Sequence, residues 1–412
     1  MTQASADQGE LFAQVLDPAN RPDPYPLYAR LRESPVSLQD DGTYVVSTHA
    51  EIAELLHDPR ISSDERKSDR GAGALVASGR LTPEGQPSTP SFIFLDPPDH
   101  DRLRRVVMGQ FTPARVASMH DRVVALVDGL LDAQGDHGRL DVVDDFAYPL
   151  PVTVICELLG VPREDEPHFH GWATALARSL DPAQGMAEED VRRAAQAAMQ
   201  MIEYLGGLVA ERRARPAADL LSGLVAGDDP AGRMDERELI STMALLLVAG
   251  HETTVNLITN GMLALLRHPD ALEWLRRDPE IVVPLVEELL RYDPPVQFRT
   301  RTTLADVHLA GVTIPKGASV ALLLASGSRD PARFRDADRF VPDRADNQHF
   351  GFGGGIHYCV GAPLARIEAH IALGALGRRL VGPRMVTDPP PYRENASLRG
   401  PEHLFVEFDG LR

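Results

Sequence analysis

The sequence predicts a mainly α fold with a small β part, and three observations support this prediction. Across residues 100–215, apolar residues recur with helical periodicity. A longer apolar helical pattern begins at Asp235, and residues 296–324 alternate like short strands. The motifs described below are spread along the whole chain and must meet at one site. We therefore expect a single domain covering residues 1–412.

The flanking segments are predicted from the same kind of pattern. Residues 25–57 begin with helical spacing and continue into a strand-like run at 44–48. Residues 68–90 are rich in Gly, Ser and Pro, which indicates a long loop. Residues 219–234 contain Gly-Asp-Asp-Pro and are also expected to form a loop.

The longest helix is predicted from its start signal and its apolar run. Asp235 can cap the helix, and Glu238 three residues later completes a capping box. The apolar pattern continues through Leu247 and Leu257 and stops before Pro269. We expect this central helix to organise the core.

Composition excludes several classes of protein. The chain has 412 residues, a net charge of −18 and 43% hydrophobic residues, so a large core is expected and nucleic-acid binding is not. The only cysteines are Cys156 and Cys359, which argues against a disulfide framework and favours a reducing cytoplasm. The N-terminus has neither a basic start nor an apolar block, so we expect no signal peptide and no membrane anchor.

The most informative segment surrounds Cys359. Residues 352–361 read Phe-Gly-Gly-Gly-Ile-His-Tyr-Cys-Val-Gly, and Pro363 opens a helical pattern. Free N–H groups at a helix N-terminus stabilise negative charge, so we expect a lowered thiol pKa and a thiolate suited to bind a metal. A buried structural cysteine is the alternative, and it is the interpretation we give to Cys156 in its apolar run.

This segment resembles the cysteine motif of the cytochrome P-450 family of haem-thiolate monooxygenases, F-G-x-G-x-H-x-C-x-G, and every fixed position is met. The resemblance implies the cytochrome P-450 fold, with a long central helix over the haem, and haem b (iron protoporphyrin IX) as cofactor. Cys359 would be the iron ligand, with Phe352, Gly353 and Gly361 beside the haem. Without an anchor, the chain is most similar to the soluble bacterial members.

A second motif lies in the central helix. Residues 249–254 read Ala-Gly-His-Glu-Thr-Thr and match the family pattern A/G-G-x-D/E-T. The resemblance implies that Ala249 and Gly250 lie against the haem, that Glu252 relays protons and that Thr253 hydrogen-bonds at the oxygen site. A solvated Glu and a Thr bonded to the preceding turn are the alternatives. Gly250 costs about 1 kcal/mol in a helix, which predicts close backbone approach or a local widening of the helix. His251 is expected to be a helix-face residue rather than a ligand.

Several cations match the family's partners of the two haem propionates. The segment 100–104 resembles the H-x-x-x-R start of a helix, where i and i+4 share one face. Arg299 could face either a propionate or the substrate. The residues that the resemblance places around the haem edge are His100, Arg104, Phe111, Arg301 and His357.

A structural ion network is also predicted. Glu288 and Arg291 match the family's E-x-x-R motif, and Arg344 matches the third member of its Glu–Arg–Arg cluster. Ser328 stands where the family often has Asn. We expect this network to maintain the fold and to have no chemical role.

The resemblance implies a monooxygenase that inserts one oxygen atom of O2 into a hydrophobic small molecule, by hydroxylation or a related oxidation such as those of secondary metabolism. No nicotinamide or flavin fingerprint is present, so electrons must come from a partner. The resemblance implies that this partner is a ferredoxin with its NAD(P)H-dependent reductase. A docking patch could include Arg105, Arg366, Arg378 and Arg379, or these could be ordinary solvated arginines. A peroxide-driven or oxidative-coupling enzyme and a non-catalytic haem binder are the alternatives.

The positions that match the family's substrate pocket are mostly apolar. Pockets of this kind bind apolar ligands, with a few polar groups to orient them. A terpenoid, a steroid, a macrolide and an aromatic compound are equally compatible with this lining, and the same residues could instead pack in the core. The expected lining comprises Leu75, Val76, Phe92, Ile93, Leu245, Ala249, Val296, Phe298 and Leu398, with Gln297, Arg299 and Ser397 as polar members.

Overall fold

The protein is mainly helical with small β-sheets, which confirms the predicted fold class. The computed structural model describes residues 8–69, 89–135, 138–178, 180–182, 187–227 and 233–412. Within these ranges we find no helix with the length and hydropathy needed to span a bilayer.

The α-helices of the described residues follow in chain order. They are α1 (Leu11–Leu16), α2 (Tyr25–Arg32), α3 (His49–His57), α4 (Asp99–Gln110), α5 (Pro113–Ser118), α6 (His120–Asp132), α7 (Pro149–Leu159), α8 (Glu166–Arg178), α9 (Glu188–Ala214), α10 (Leu220–Ala226), α11 (Glu236–Arg267), α12 (Pro269–Arg277), α13 (Val282–Tyr292), α14 (Leu324–Gly327) and α15 (Ala362–Arg379).

The strands of the described residues are short and form four small sheets. They are β1 (Val36–Leu38), β2 (Tyr44–Val46), β3 (Ile61–Ser62), β4 (Arg139–Asp141), β5 (Arg299–Thr303), β6 (Val307–Leu309), β7 (Val312–Ile314), β8 (Ser319–Leu322), β9 (Leu380–Val381), β10 (Arg384–Met385), β11 (Phe405–Glu407) and β12 (Gly410–Leu411). The largest sheet has the order β1-β2-β8-β5-β3, in which only the β2–β8 pair is parallel. The strands predicted near residues 44–48 and 296–324 are thereby confirmed.

The predicted capping box begins α11. The Glu238 N–H donates to Asp235 Oδ1 at 2.8 Å, and the Asp235 N–H donates to Glu238 Oε2 at 2.9 Å. The helix runs for 32 residues and ends at Arg267, before Pro269 as predicted. Two otherwise unpaired N–H groups are satisfied in this way, so the start of the helix is fixed at the predicted residue.

The core is built around α11. Its buried side chains belong to the main apolar cluster, together with residues of α7, α9, α13 and α15. The packing is close at Gly261, where an added Cβ would lie 2.8 Å from Leu373 on α15 and 3.0 Å from Leu289 on α13. A side chain at this position would therefore push the three helices apart.

The loop predicted over residues 219–234 is wrong for residues 220–226. Helix α10 occupies Leu220–Ala226, and Asp219 caps it by accepting a hydrogen bond from the Ser222 N–H at 2.7 Å. Gly227 ends the helix in the left-handed conformation, with φ of 60°. One short helix therefore begins after its cap Asp219 and ends at Gly227, although the Gly and Pro content of the segment is typical of a loop.

Candidate active site

The Cys359 segment folds as a tight loop ahead of α15. Gly353 and Gly355 have φ of 70° and 61°, which only glycine adopts readily. An added Cβ at Gly355 would lie 2.0 Å from the Leu56 carbonyl oxygen on α3. The Cys359 N–H donates to the Phe352 carbonyl oxygen at 3.0 Å and closes the loop. This geometry presents an exposed Cys359, whereas Cys156 is fully buried in the core as predicted.

The predicted lowering of the thiol pKa is wrong for the free cysteine. Although Cys359 is accessible to solvent, the protein that surrounds its sulfur raises the thiol pKa, because desolvation disfavours the anion. The backbone N–H groups of Gly361 and Ala362 and the nearby Arg104 oppose this effect without cancelling it. A bound metal ion would have to supply the remaining stabilisation of the thiolate.

Two histidines lie next to this loop with polar atoms unsatisfied. The rings of His100 on α4 and His357 in the loop are 4.4 Å apart. The Nε2 atom of His100 and the Nδ1 atom of His357 are buried and have no hydrogen-bond partner among the described residues. Burial, assisted by the charge of Arg301, lowers the pKa of His357 to about 3, so the ring is neutral. Such atoms indicate a missing polar partner.

Three arginines surround the histidines. Arg104 lies on α4, and Arg299 and Arg301 lie on β5. None of the three forms an ion pair within the described part of the chain, and burial lowers the pKa of all three, that of Arg301 to about 10. Since buried cations need anionic or hydrogen-bonding partners, this cluster is suited to hold carboxylates. These contacts agree with the predicted grouping of Arg104, Arg301 and His357.

The residues present fit haem. An exposed thiol, two unsatisfied histidine nitrogens and three arginines without an ion pair among the described residues would provide one iron ligand and partners for two propionates. Phe111 is buried at the end of α4, and Phe352 is half-buried beside the cysteine loop. Both phenyl rings therefore lie next to α4 or the cysteine loop, which carry His100 and His357.

One face of the central helix carries solvent-accessible residues spaced four positions apart. Ala249 is exposed in the middle of α11, and Leu245 and Thr253, one turn to either side, are half-buried. Residues at i and i+4 share a helix face, so these three residues form one surface, here named the open face. The Thr253 hydroxyl donates to the Ala249 carbonyl oxygen at 2.7 Å, which is the alternative considered for this residue. Its oxygen can still accept hydrogen bonds.

Glu252 and its neighbours on α11 are placed differently. Glu252 is only 5% exposed, so the alternative of a solvated carboxylate is wrong. Its Oε1 atom accepts a hydrogen bond from Arg393 at 2.8 Å in an ion pair. Gly250 shows the predicted close approach, since an added Cβ would lie 3.2 Å from Ile155 on α7. His251 is buried with its ring 4.7 Å from that of Tyr148, and so is not on an open helix surface.

The predicted substrate residues fall into separate environments. Phe92 is buried with its ring 6.4 Å from that of His100, and Ile93 is half-buried next to it. Val296 and Leu398 pair in an isolated β-bridge. Leu75 and Val76 lie outside the described residues.

The interpretation of Phe298 as a pocket residue is corrected. Its ring packs edge-on against Phe12 at 5.4 Å, in the apolar cluster formed by α1 and α2. Successive side chains of an extended chain point to opposite sides, so the side chain of Phe298 points away from the side taken by residues 297 and 299. Gln297 is buried and hydrogen-bonded to Tyr28, and Ser397 donates to Asp181, so these polar groups already have protein partners.

The Glu–Arg–Arg cluster forms as predicted. Glu288 and Arg291 on α13 are fully buried, and two hydrogen bonds of 2.8 Å join them. Arg344 donates to Glu288 Oε2 at 3.0 Å, and the Val341 N–H donates to Oε1 at 2.8 Å. Ser328 contributes its carbonyl oxygen as an acceptor for Arg291. The cluster ties α13 to the segment ahead of the cysteine loop.

The predicted cationic docking patch is only half present. Arg366 donates two hydrogen bonds to Glu287, which lowers the pKa of this carboxylate to about 2 despite burial. Arg379 pairs with Asp128 and Asp132. Their charges are thus already neutralised. Arg105 and Arg378 are exposed and form no ion pair among the described residues.

Two polar residues of this region were not predicted. Arg393 pairs with Glu252 from 141 positions away. Asp181 accepts hydrogen bonds from the Ala396 and Ser397 N–H groups, at 2.9 and 2.8 Å, and fixes the loop that carries Arg393 to the end of α8. Both contacts join distant segments, and no local spacing signals them.

Comparison with known proteins agrees with this geometry. The family described as Cytochrome P450 matches residues 43–404. The cytochrome P450 monooxygenase PikC of Streptomyces venezuelae is 42% identical over 94% of this chain and 91% of its own length. The vitamin D(3) 25-hydroxylase of Pseudonocardia autotrophica is 39% identical over 97% and 96%. The ligand-free crystal structure of Mycobacterium smegmatis CYP164A2 has a TM-score of 0.88, 44% identity and coverage of 97% and 100%.

Proposed function

Because this chain belongs to the cytochrome P450 family, we propose that Cys359 is the thiolate ligand of its haem b iron. The exposed thiol at the start of α15 is the observation that carries the proposal. His100, Arg104, Arg301 and His357 would hold the propionates, since the unsatisfied ring nitrogens of the two histidines lie beside the cysteine loop and neither arginine forms an ion pair among the described residues.

The remaining haem contacts come from the loop and from α11. Phe352, Gly353 and Gly361 would lie beside the haem on the cysteine side, with Phe111 at its edge. Ala249 and the backbone at Gly250 would cover the opposite face, because Ala249 is the most exposed position of the open face. A small side chain at this position leaves room for a flat group.

The chain is a cytochrome P450 monooxygenase, and its own residues must deliver the protons that the reaction consumes. When bound, the haem supplies oxygen activation, assisted by donation from the thiolate. One oxygen atom goes to the product and the other leaves as water, which requires protons inside a largely buried site. We propose that Glu252 supplies them and that Thr253, on the open face, holds the acceptor or its water in position.

The substrate is a hydrophobic small molecule. Leu245 and Ala249 on the open face, with Phe92, Ile93, Val296 and Leu398, would form an apolar wall. The vitamin D(3) hydroxylase is named for the hydroxylation of an apolar molecule, which supports hydroxylation here. The acid–alcohol pair on α11 favours O2 over peroxide as the oxidant, because protons have to be delivered to O2.

Electrons come from a redox partner, which we propose is a ferredoxin in the cytoplasm. The chain has two cysteines, which suits a reducing compartment. Exposed Ile356 and Tyr358 precede the cysteine in its loop, and Arg105 on α4 is exposed and forms no ion pair within the described ranges. An acidic partner could dock there and approach the thiolate.

A pair of cysteine variants tests the proposal. Wild-type protein expressed with added haem should give the thiolate-type ferrous carbon monoxide spectrum and transfer label from isotopic O2 to product. The C156S control should behave identically, because Cys156 is buried in the core. The C359H variant should give an imidazole-type spectrum and transfer no label. A colourless wild-type protein, or a C359H spectrum unchanged from wild type, contradicts the assignment.

A further inference from the structure

Arg299 on β5 is a third arginine beside a site whose two propionates need only two. The propionates would carry two negative charges, and Arg104 and Arg301 supply two positive charges. Arg299 forms neither an ion pair nor a side-chain hydrogen bond within the described part of the chain. Because a desolvated cation without an anion is unfavourable, we expect one further negative group at this position.

The strand directs Arg299 toward the substrate side of the site. Side chains alternate along a strand, so Arg299 and Arg301 point to the same side of β5, about 7 Å apart. Arg301 is the arginine whose charge lowers the pKa of His357. Arg299 is displaced from it toward Val296, which pairs with Leu398 in a β-bridge. The third guanidinium therefore lies between the propionate partners and the predicted apolar wall.

The carboxylates that act on Arg299 from a distance have other partners. Asp181 accepts a hydrogen bond from Arg178 at 2.6 Å, within an ion pair. Glu65 accepts one from the Thr300 hydroxyl at 3.1 Å, and Thr300 points to the opposite side of β5. Burial lowers the pKa of Arg299, and the charges of Asp181 and Glu65 oppose this effect without cancelling it. The positive charge of Arg299 is thus only partly compensated by its surroundings.

The side chain of Arg299 is both accessible and enclosed. Part of its surface is open to solvent, although the surrounding protein desolvates its charge. A side chain of this kind faces an internal space rather than the outer surface. Its guanidinium is a planar group with five N–H donors, a shape that matches the two oxygens of a carboxylate.

We propose that Arg299 binds a carboxylate of the substrate, so that the substrate is a carboxylic acid with an apolar body. This inference deepens the proposed function and rests on it. The apolar body would lie along Val296, Leu398 and the open face of α11, while two N–H groups of Arg299 hold the acid end. Anchoring one end in this way presents carbons at a set distance from the carboxylate for oxidation.

Ligand titrations of the ferric holoenzyme at about pH 7.5, where carboxylic acids are ionised, test this inference. The probes are dodecanoic acid and abietic acid, which have a flexible and a rigid apolar body, and the methyl ester of each. Binding is followed by the spin-state change, and by calorimetry for any probe that leaves the spin state unaltered. Wild type should bind at least one acid about 10-fold or more tightly than its ester, because charge-assisted hydrogen bonds contribute about this much.

The variants separate the charge of Arg299 from its shape. R299Q should weaken binding of the preferred acid about 10-fold or more and change that of the ester by less than about two-fold. R299M fills a similar space without a charge, should behave in the same way, and replaces R299Q if that variant does not accumulate. R299K keeps the charge but loses the planar group, so it should retain part of the preference for the acid.

The matched control is R335Q, which removes the same charge from a side chain that is 96% exposed. Its affinities for acids and esters should equal those of wild type. Haem content and the thiolate-type carbon monoxide spectrum should be unchanged in R299Q. A propionate role for Arg299 would instead lower haem retention and weaken acid and ester alike.

That last outcome overturns the inference, as does a wild type that binds neither acid more tightly than its ester. Loss of the thiolate-type carbon monoxide spectrum in the wild type would instead refute the proposed function, so the two failures are distinguishable.

Discussion

Replacing Glu288 by Gln should destabilise the fold more than any surface change. The carboxylate is fully buried and accepts hydrogen bonds from Arg291, Arg344 and the Val341 N–H. All five N–H groups of Arg291 are used, two by Glu288 and three by carbonyl oxygens. Gln keeps the shape but removes the charge, which leaves two buried guanidinium groups without an anion.

The expected magnitude follows from this burial. Removing one partner of a buried ion pair costs about 3–5 kcal/mol, against a total stability of roughly 5–15 kcal/mol. With a urea m-value of about 3 kcal/mol/M, the unfolding midpoint should fall by about 1 M or more, at unchanged m. Far-UV circular dichroism of the holoenzyme in urea measures this directly.

The matched control is E236Q, which removes the exposed ion pair between Glu236 and Arg213. Surface pairs contribute about 0–1 kcal/mol, so its midpoint should stay close to wild type. If E288Q does not accumulate, R344K can be measured instead. Lys keeps the positive charge but lacks the planar guanidinium group, so the unfolding midpoint should shift less in the same direction. An E288Q midpoint indistinguishable from that of E236Q would refute the stabilising role of the cluster.

Three further predictions concern the pocket, pH and docking. The L245W variant should bind bulky apolar ligands about 10-fold or more weakly and small ones nearly normally, as ferric spin-state titrations would reveal; equal weakening of both contradicts a pocket role. The pairs of His403 with Asp141 and Asp144 raise the pKa of His403, so they stabilise below about pH 6.5 and this contribution disappears as pH rises through the folded-state pKa. The melting-temperature gap between wild type and H403N should therefore shrink between about pH 5.5 and 8.5, and a gap that widens contradicts the assignment. In the R105E variant, electron transfer from reduced ferredoxin to this protein should be several-fold slower at low ionic strength, and the difference from wild type should shrink at high salt. Slowing that does not depend on salt would exclude docking at this position.

Local patterns predicted the parts of this structure that depend on neighbours in the chain. The capping box at Asp235, the end of α11 before Pro269 and the loop around Cys359 all follow from residues within a few positions of one another. The i, i+3 spacing of Glu288 and Arg291 likewise brings the two groups together on one helix. These features are set by backbone geometry, which short sequence patterns encode.

Contacts between distant segments could not be predicted in the same way. The pairing of Arg366 with Glu287 removes a cation that the sequence offers for docking. Arg393 reaches Glu252 across the fold, and the direction of the Cys359 thiol pKa depends on how much protein surrounds the sulfur. These contacts and pKa shifts depend on tertiary packing, which neither the composition nor the periodicity of the sequence indicates.

The open face of α11 has a consequence for how this enzyme could diversify. Leu245, Ala249 and Thr253 stand in a single row, and residues 254–265 of the same helix are all buried. A change at Leu245, about two helical turns from Thr253, would alter the shape available to a guest molecule and leave Glu252 and Thr253 in place. Relatives could therefore acquire new substrates by altering a few row positions while inheriting the scaffold and its oxygen chemistry intact.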